Sequence, residues 1–158
     1  MISLSLPGCV VETTTVAGDT LLVDAHPAQA TARCPDCQRP SSRVHSRSLR
    51  LPRDLPLAVY RVRLRLRVRC FFCLTDSCPR RTFAEQVPEL LPRRAQRTSR
   101  FTQSLHDLSL SLGGRPAARL AQRLRFSVSR STCTRILRAT PLPPVSTPKV
   151  LGVDDFAF

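Results

Sequence analysis

The sequence predicts an α+β protein built from several small modules. Three observations lead to this prediction: two pairs of closely spaced cysteines, a segment in which apolar residues alternate with arginines, and a later stretch whose apolar residues recur at helical spacing. The chain has 158 residues, no Trp and only 5% aromatic residues, so we do not expect a single large core of aromatic rings.

The positive charge is concentrated in the middle of the chain. The whole sequence has 25 Lys and Arg against 11 Asp and Glu, a formal charge of +14. Residues 34–100 hold 16 arginines and 5 acids, hence +11, and residues 101–148 hold 7 arginines and 1 acid, hence +6. Such an excess predicts a polyanionic partner, nucleic acid first of all. No apolar run approaches the roughly 20 residues that cross a bilayer, so we expect no membrane partner and a cytoplasmic location.

Residues 1–33 predict an N-terminal β-hairpin. Two short strands, 9–16 and 20–24, flank the turn Ala17-Gly18-Asp19, where Gly18 supplies the positive φ of a tight turn. We expect this hairpin to be a module of its own ahead of the cysteine-containing region.

Residues 59–69 are the clearest strand in the sequence. Apolar residues from Tyr60 to Val68 alternate with arginines, a period of two that no helix fits. The arginines on the second face are Arg61, Arg63, Arg65, Arg67 and Arg69. Two interpretations are open: an edge strand that its charge protects against aggregation, and a surface that follows the phosphates of a nucleic acid.

Seven cysteines in a chain expected to be cytoplasmic favour a metal site over disulfides. Cys34-Pro-Asp-Cys37 and Cys73-Leu-Thr-Asp-Ser-Cys78 are two ligand pairs with 35 residues between them. At this spacing four thiolates can surround a structural Zn²⁺ ion and clamp the intervening strands as a zinc ribbon, which we expect to span residues 34–92.

Other interpretations of the cysteines are open. Cys70-Phe-Phe-Cys73 offers an alternative second pair, and His45 offers an alternative single ligand. A redox-active CxxC or inert buried thiols are the alternatives without a metal. Cys9 and Cys133 are expected to be small core residues.

Residues 93–140 predict three short helices. From Thr98 the apolar residues change to helical spacing, which predicts a first helix with one apolar face made of Phe101, Leu105, Leu108 and Leu112. Gly113-Gly114 ends this helix. Pro116 suits the first turn of a second helix. Ser129 is a candidate N-cap for a third helix, whose apolar face is Cys133, Ile136 and Leu137.

The short joint between the second and third helices is typical of a helix-turn-helix, whose last helix enters the major groove of DNA. On this hypothesis the third helix reads bases and the second holds phosphates. The predicted contacts are Ser129, Arg130, Ser131, Thr134, Arg135 and Arg138 on the third helix and Arg119 and Arg123 on the second. Further predicted DNA contacts on the alternating strand are Arg61, Arg63, Arg65 and Arg67. A helical bundle with a solvated basic face is the alternative.

Two further segments follow the helices. Residues 141–149 are rich in proline, which forbids a helix and favours an extended linker. Residues 150–158 predict a buried strand that ends on Asp154 and Asp155. A carboxylate pair of this kind can bind Mg²⁺, although taken alone the pattern is not specific.

In this order the segments resemble the N-terminal half of bacterial insertion-sequence transposases of the ISL-three family. The resemblance runs from about residue 9 to the end of the sequence. Its motifs are Cys34-Pro-x-Cys37, Val44-His45-Ser46-Arg47, Leu55-Pro56, Val68-Arg69, Cys73-x4-Cys78-Pro-Arg-Arg-x-Phe83-x-Glu85, Arg115-x-Ala117-Ala118-Arg119-Leu120, Ser129-x-x-Thr132 and Leu151-Gly152-Val153-Asp154-Asp155-Phe156-Ala157.

The resemblance implies a zinc ribbon, then a helix-turn-helix that binds the terminal inverted repeats of the transposon in double-stranded DNA. Residues 150–158 are then the first strand of an incomplete RNase H-like catalytic domain, with Asp154 as its first catalytic carboxylate. It favours Cys34, Cys37, Cys73 and Cys78 as the ligands, and Cys70 stands where the family more often has a basic residue. Mg²⁺ belongs only to a complete catalytic domain, because two-metal phosphoryl transfer needs several carboxylates.

We therefore expect a truncated transposase that binds DNA at the bacterial nucleoid and is not itself an enzyme. Its partners would be transposon ends, and an intact transposase or a second copy of itself. The alternative function is a zinc-stapled basic protein that binds RNA through the arginine-rich strand, or a regulatory DNA-binding protein.

Overall fold

The computed structural model describes residues 5–141, which form eight strands followed by three helices. The strands are β1 (Cys9–Ala17), β2 (Thr20–Pro27), β3 (Ala32–Arg33), β4 (Pro40–Ser41), β5 (Val44–Arg50), β6 (Arg53–Leu57), β7 (Tyr60–Phe72) and β8 (Thr82–Ala84). The helices are α1 (Ser99–Leu112), α2 (Gly114–Arg123) and α3 (Arg130–Arg138). Within this range no helix is long and apolar enough to cross a membrane.

Six of the strands form one sheet around the 13-residue β7. On one edge, β2 pairs in parallel with the first half of β7, and β8 pairs antiparallel with its end. On the other edge, β6 and β5 pair antiparallel with successive parts of β7. β1 continues the sheet beyond β2, while β3 and β4 form a separate two-stranded ribbon.

The alternating pattern of β7 is confirmed, but the interpretation of β7 as an edge strand is wrong. Neighbours lie along both of its edges, β2 and β8 on one and β6 and β5 on the other, so most of its length is paired on each side. The predicted hairpin is present as β1 and β2, with Gly18 at a φ of 60°. It is not a separate module, however, because β2 runs beside β7 from Thr20 to Ala25 and extends the same apolar surface.

The main core lies on the apolar face of β7. Leu64 and Leu66 are fully buried there, and Val23 and Ala25 continue the buried surface on β2. The segment after β8 folds back over this face and covers it with Val87, Leu90 and Leu91. The alternating face is therefore buried by a connection that has almost no regular structure of its own.

The three predicted helices are confirmed, and so is the predicted cap Ser129; the structure adds Thr98 as the cap of α1. The Thr98 hydroxyl accepts a hydrogen bond from the Phe101 amide at 3.3 Å, and the Ser129 hydroxyl accepts one from the Thr132 amide at 3.3 Å. Gly113 has a φ of 73° and separates α1 from α2. Gly114, which was expected to end the first helix, is instead the first residue of the second.

The helices have a core of their own. The rings of Phe101 and Phe126 are 5.0 Å apart, and Leu105, Ala121 and Cys133 are fully buried beside them. The expectation that Cys133 is a small core residue is confirmed.

One buried carboxylate joins the sheet to this helical unit. Asp54 on β6 is 1% exposed. It accepts a hydrogen bond from the Thr98 hydroxyl at 2.7 Å and two from the guanidinium of Arg100, of which the Nε bond is 2.8 Å long. Since Thr98 caps α1 and Arg100 lies in its first turn, Asp54 ties the start of the helical unit to the sheet.

Candidate metal centre and nucleic-acid interface

Two short loops bring four cysteines together. Cys34 and Cys37 lie in the turn between β3 and β4. Two hydrogen bonds close this turn: the Cys34 amide donates to the Arg39 carbonyl at 3.0 Å, and the Gln38 amide donates to the Cys34 carbonyl at 2.9 Å. Cys73 directly follows β7 and so takes its position from the central strand. The Cys78 amide donates to the carbonyl of Thr75 at 3.0 Å, which makes the second turn.

The sulfur atoms of Cys34, Cys37, Cys73 and Cys78 all lie within 4.8 Å of one another. The Sγ–Sγ distance is 3.9 Å between Cys34 and Cys78 and 3.6 Å between Cys37 and Cys73. Four sulfurs placed tetrahedrally at about 2.3 Å from Zn²⁺ are about 3.8 Å apart, so the cluster has the size that zinc requires. The predicted structural zinc site is confirmed.

The surroundings of the cluster suit a structural metal. Cys34 and Cys78 are buried, and the stacked rings of Phe71 and Phe83 pack in the same small core, 5.9 Å apart. Hydrogen bonding with the Thr75 hydroxyl, and then with the backbone at Arg39, lowers the pKa of Cys37 to about 6. At Cys78 the backbone hydrogen bond at Arg80 is outweighed by burial and the neighbouring thiols, which raise its pKa to about 12. Four protein ligands leave no position for substrate or a catalytic water.

The two alternative ligands lie outside this cluster. Cys70 is inside the sheet, where Ser46 of β5 and Ala84 of β8 are its neighbours. His45 is exposed, and its ring packs edge-on against Phe72 with centroids 4.8 Å apart. The second ligand pair is therefore Cys73 and Cys78.

The outer face of β7 carries the predicted row of arginines, but most of them are paired with carboxylates. Arg65 binds Asp24 through two hydrogen bonds of 2.8 and 2.9 Å. The other pairs are Arg61 with Asp19 at 3.5 Å, Arg69 with Glu85 at 2.5 Å, and Arg67 with Glu12. In the described part of the chain Arg63 has no carboxylate within 4.0 Å.

These four acids are the site residues that the sequence did not reveal. Three of them come from the β1–β2 hairpin and one directly follows β8. Their position beside the arginines depends on long-range strand pairing, and no local pattern signals it. As a result, four carboxylates offset most of the charge of the five arginines, and the strand is a much weaker binding surface for a polyanion than its composition indicates.

The predicted DNA contacts lie mostly on exposed parts of the helical unit. Arg119 and Arg123 are exposed on α2, and the exposed residues at α3 are its cap Ser129 together with Arg130, Ser131, Arg135 and Arg138. Thr134 is half-buried, because it faces Gly114 at the start of α2, and its hydroxyl donates to the Arg130 carbonyl at 3.2 Å. The roles of these residues in DNA binding stay predictions.

Asp154 and Asp155 lie outside the described residues. The same holds for nearly all of the predicted linker and for the predicted first strand of a catalytic domain. Their roles stay expectations from the resemblance.

Comparison with known protein families identifies the cysteine-containing region. Residues 30–79 match the zinc-finger of transposase IS204/IS1001/IS1096/IS1165. The matched range contains all four sulfur ligands and the whole of β7, and it ends before the helices. Comparison with curated proteins and with solved structures gave no match.

Proposed function

Because residues 30–79 carry the zinc ribbon of ISL-three-family transposases, we propose that this chain is the DNA-binding N-terminal part of such a transposase and recognises its terminal inverted repeats. The observation that carries the proposal is the four-sulfur cluster inside a segment that matches a transposase zinc finger. A strongly basic helical unit follows that segment and begins at Ser99. This activity places the protein on the DNA of the bacterial nucleoid.

We assign the reading of the DNA sequence to α3, as the last helix of a helix-turn-helix. Residues 114–138, which contain α2 and α3, hold 7 arginines and no acid. Ser131, Arg135 and Arg138 are exposed on α3, while Cys133 anchors its other face in the core. Exposed guanidinium and hydroxyl groups are suited to base edges and phosphates in a major groove.

The RNA-binding alternative depends on the arginine-rich strand, and the ion pairs of that strand count against it. Four of its five arginines already have carboxylate partners. An RNA backbone would have to displace these acids, whereas the arginines of α3 have no acid in their helix to displace.

Binding to two DNA duplexes tests the proposal. The first duplex carries the inverted repeats that flank the coding sequence, and the second carries the same bases in shuffled order. At about 0.15 M salt we expect the repeat duplex to bind at least about tenfold more tightly, because specific sites exceed non-specific DNA by far more than this. Equal affinities for the two duplexes would contradict repeat recognition.

A matched pair of variants locates the reading surface. Arg135→Ala on α3 should lower the preference for the repeat duplex, whereas Arg47→Ala on β5 also removes an exposed charge and should leave the preference unchanged. A preference for structured RNA that is unaffected by Arg135→Ala would favour the RNA-binding alternative.

A further inference from the structure

A small basic cleft lies where the sheet meets the helical unit. It has a volume of about 150 Å³. β6 and β7 form one side of the cleft and the turn between α2 and α3 forms the other, so both parts of the chain build it. Four arginines line it: Arg53, Arg61, Arg63 and Arg125.

Three of these arginines have no carboxylate within 4.0 Å in the residues that the structure covers: Arg53, Arg63 and Arg125. The fourth, Arg61, forms an ion pair with Asp19. Among the described residues that line the cleft the one acid is Asp54, whose charge is already paired with Arg100. The cleft is therefore an uncompensated positive site, unlike the rest of the arginine face of β7.

Two observations describe the surroundings of the arginines in the cleft: a hydrogen bond that holds Arg53, and like charges that lie close together. Arg53 Nη1 donates to the carbonyl of Ser127 at 2.5 Å, which fixes its guanidinium at the joint without neutralising it. The neighbouring Arg97 has a pKa below its ordinary value, because burial disfavours its charge and because Arg135 and Arg53 add like charge nearby. Positive charge thus continues from the cleft toward α3.

The backbone of Arg125 supplies an independent observation. Its φ of 67° is left-handed, in the turn that ends α2, where the Phe126 amide donates to the Ala121 carbonyl at 2.8 Å. Glycine occupies this position at most such helix ends, since a side chain is strained there. Arg125 differs from the other arginine with such a backbone, Arg94, because its side chain lines the cleft.

We propose that this cleft binds a backbone phosphate of the same duplex that α3 reads, with Arg53, Arg63 and Arg125 as its ligands. The inference rests on the proposed function and adds a second, sequence-independent contact to it. Ser127 lies two residues before the cap of α3, so a phosphate in the cleft sits beside the start of the reading helix. Contacts of this kind set the register of a recognition helix on DNA.

Two glycine substitutions make a matched test. Arg125→Gly removes one guanidinium and relieves its strained backbone. Arg94→Gly does the same at an exposed arginine with a φ of 61° that does not line the cleft. Both variants should melt at or above the temperature of the unaltered chain, so a loss of binding by Arg125→Gly cannot come from unfolding.

Fluorescence anisotropy with a labelled duplex, titrated at several salt concentrations, gives the readout. Loss of one phosphate contact should reduce the slope of log affinity against log salt by about 0.9, which is about an eightfold loss of affinity at 0.1 M salt. We expect this loss for Arg125→Gly and for Arg63→Gln. For Arg94→Gly we expect a loss of less than about threefold, because Arg94 does not line the cleft.

The outcomes separate the cleft from the proposed function. If the unaltered chain binds duplex DNA and Arg125→Gly changes affinity and slope no more than Arg94→Gly, the cleft assignment is wrong and the proposed function stands. If the unaltered chain shows no salt-dependent binding to duplex DNA, the proposed function itself fails.

Discussion

The carboxylate of Asp54 holds the helical unit against the sheet, and Asp54→Asn should weaken this joint. Asparagine has nearly the same shape and keeps one oxygen for the Thr98 hydroxyl. It loses the negative charge, and its amide group turns a donor toward the guanidinium of Arg100. The substitution therefore removes an ion pair with almost no change in packing.

The size of the loss follows from the burial of the two partners. Removing one member of a fully buried ion pair costs about 3–5 kcal/mol, because the other charge is left without compensation. The Asp54 side chain is 1% exposed, but that of Arg100 is 37% exposed, so water can solvate part of the orphaned guanidinium. We therefore expect a loss of about 2–3 kcal/mol, which for a chain of this size lowers the melting temperature by about 5–10 °C.

Urea and thermal unfolding of the zinc-bound chain measure this loss. The chain has no Trp, so far-ultraviolet circular dichroism is the suitable signal. Asp19→Asn is the matched control, since Asp19 and Arg61 are 3.5 Å apart and both about half exposed. Such a surface pair should contribute less than about 1 kcal/mol. If Asp54→Asn costs no more than Asp19→Asn, the structural role given to Asp54 is refuted.

Three further substitutions test the metal centre and the helical unit. Cys34→Ser should abolish the binding of one zinc per chain, whereas Cys70→Ser should keep it, and the zinc content of the purified variants decides between these outcomes. Gly114→Ala should lower the free energy of unfolding by about 1–3 kcal/mol, because the new Cβ would lie 2.8 Å from Thr134 Oγ1. Adding Thr134→Ala should recover most of this stability. An undiminished loss in the double variant would exclude the clash. Phe101→Ala should lower the free energy of unfolding, measured in urea, by about 3–5 kcal/mol, since the ring is 2% exposed and packs on Phe126. A loss below about 1 kcal/mol would mean that the helical core does not depend on this ring.

Features with a local cause could be predicted from the sequence. The alternation from Tyr60 to Val68, the cap Ser129 and the turn at Gly18 each depend on neighbouring residues, and all are present. The zinc ligands were accessible for the same reason, because each pair lies within one turn of the chain. The choice between Cys70 and Cys78 needed the structure, since Cys70 still belongs to the ladder of the sheet.

The edge-strand interpretation of β7 failed for a specific reason. Alternation shows that one face of a strand is buried, but it contains no information about which strands lie on its two edges. The parallel pairing of β2 with β7 joins residues about 40 positions apart in sequence. This pairing carries Asp19 and Asp24 to the arginines, and thereby changes the charge available for a nucleic acid.

By itself the sequence determined the N-terminal hairpin, the central strand, the three helices, the two cysteine pairs and the excess of positive charge, because these follow from spacing and composition over a few residues. Only the tertiary structure decided which of those charges are free. Strand register neutralises Arg65 and Arg69 with carboxylates, while the packing of the helical unit on β6 gathers Arg53, Arg63 and Arg125 around one cleft. Coulomb interactions depend on distance in space rather than along the chain, so the charge pattern that a partner meets exists only in the folded molecule.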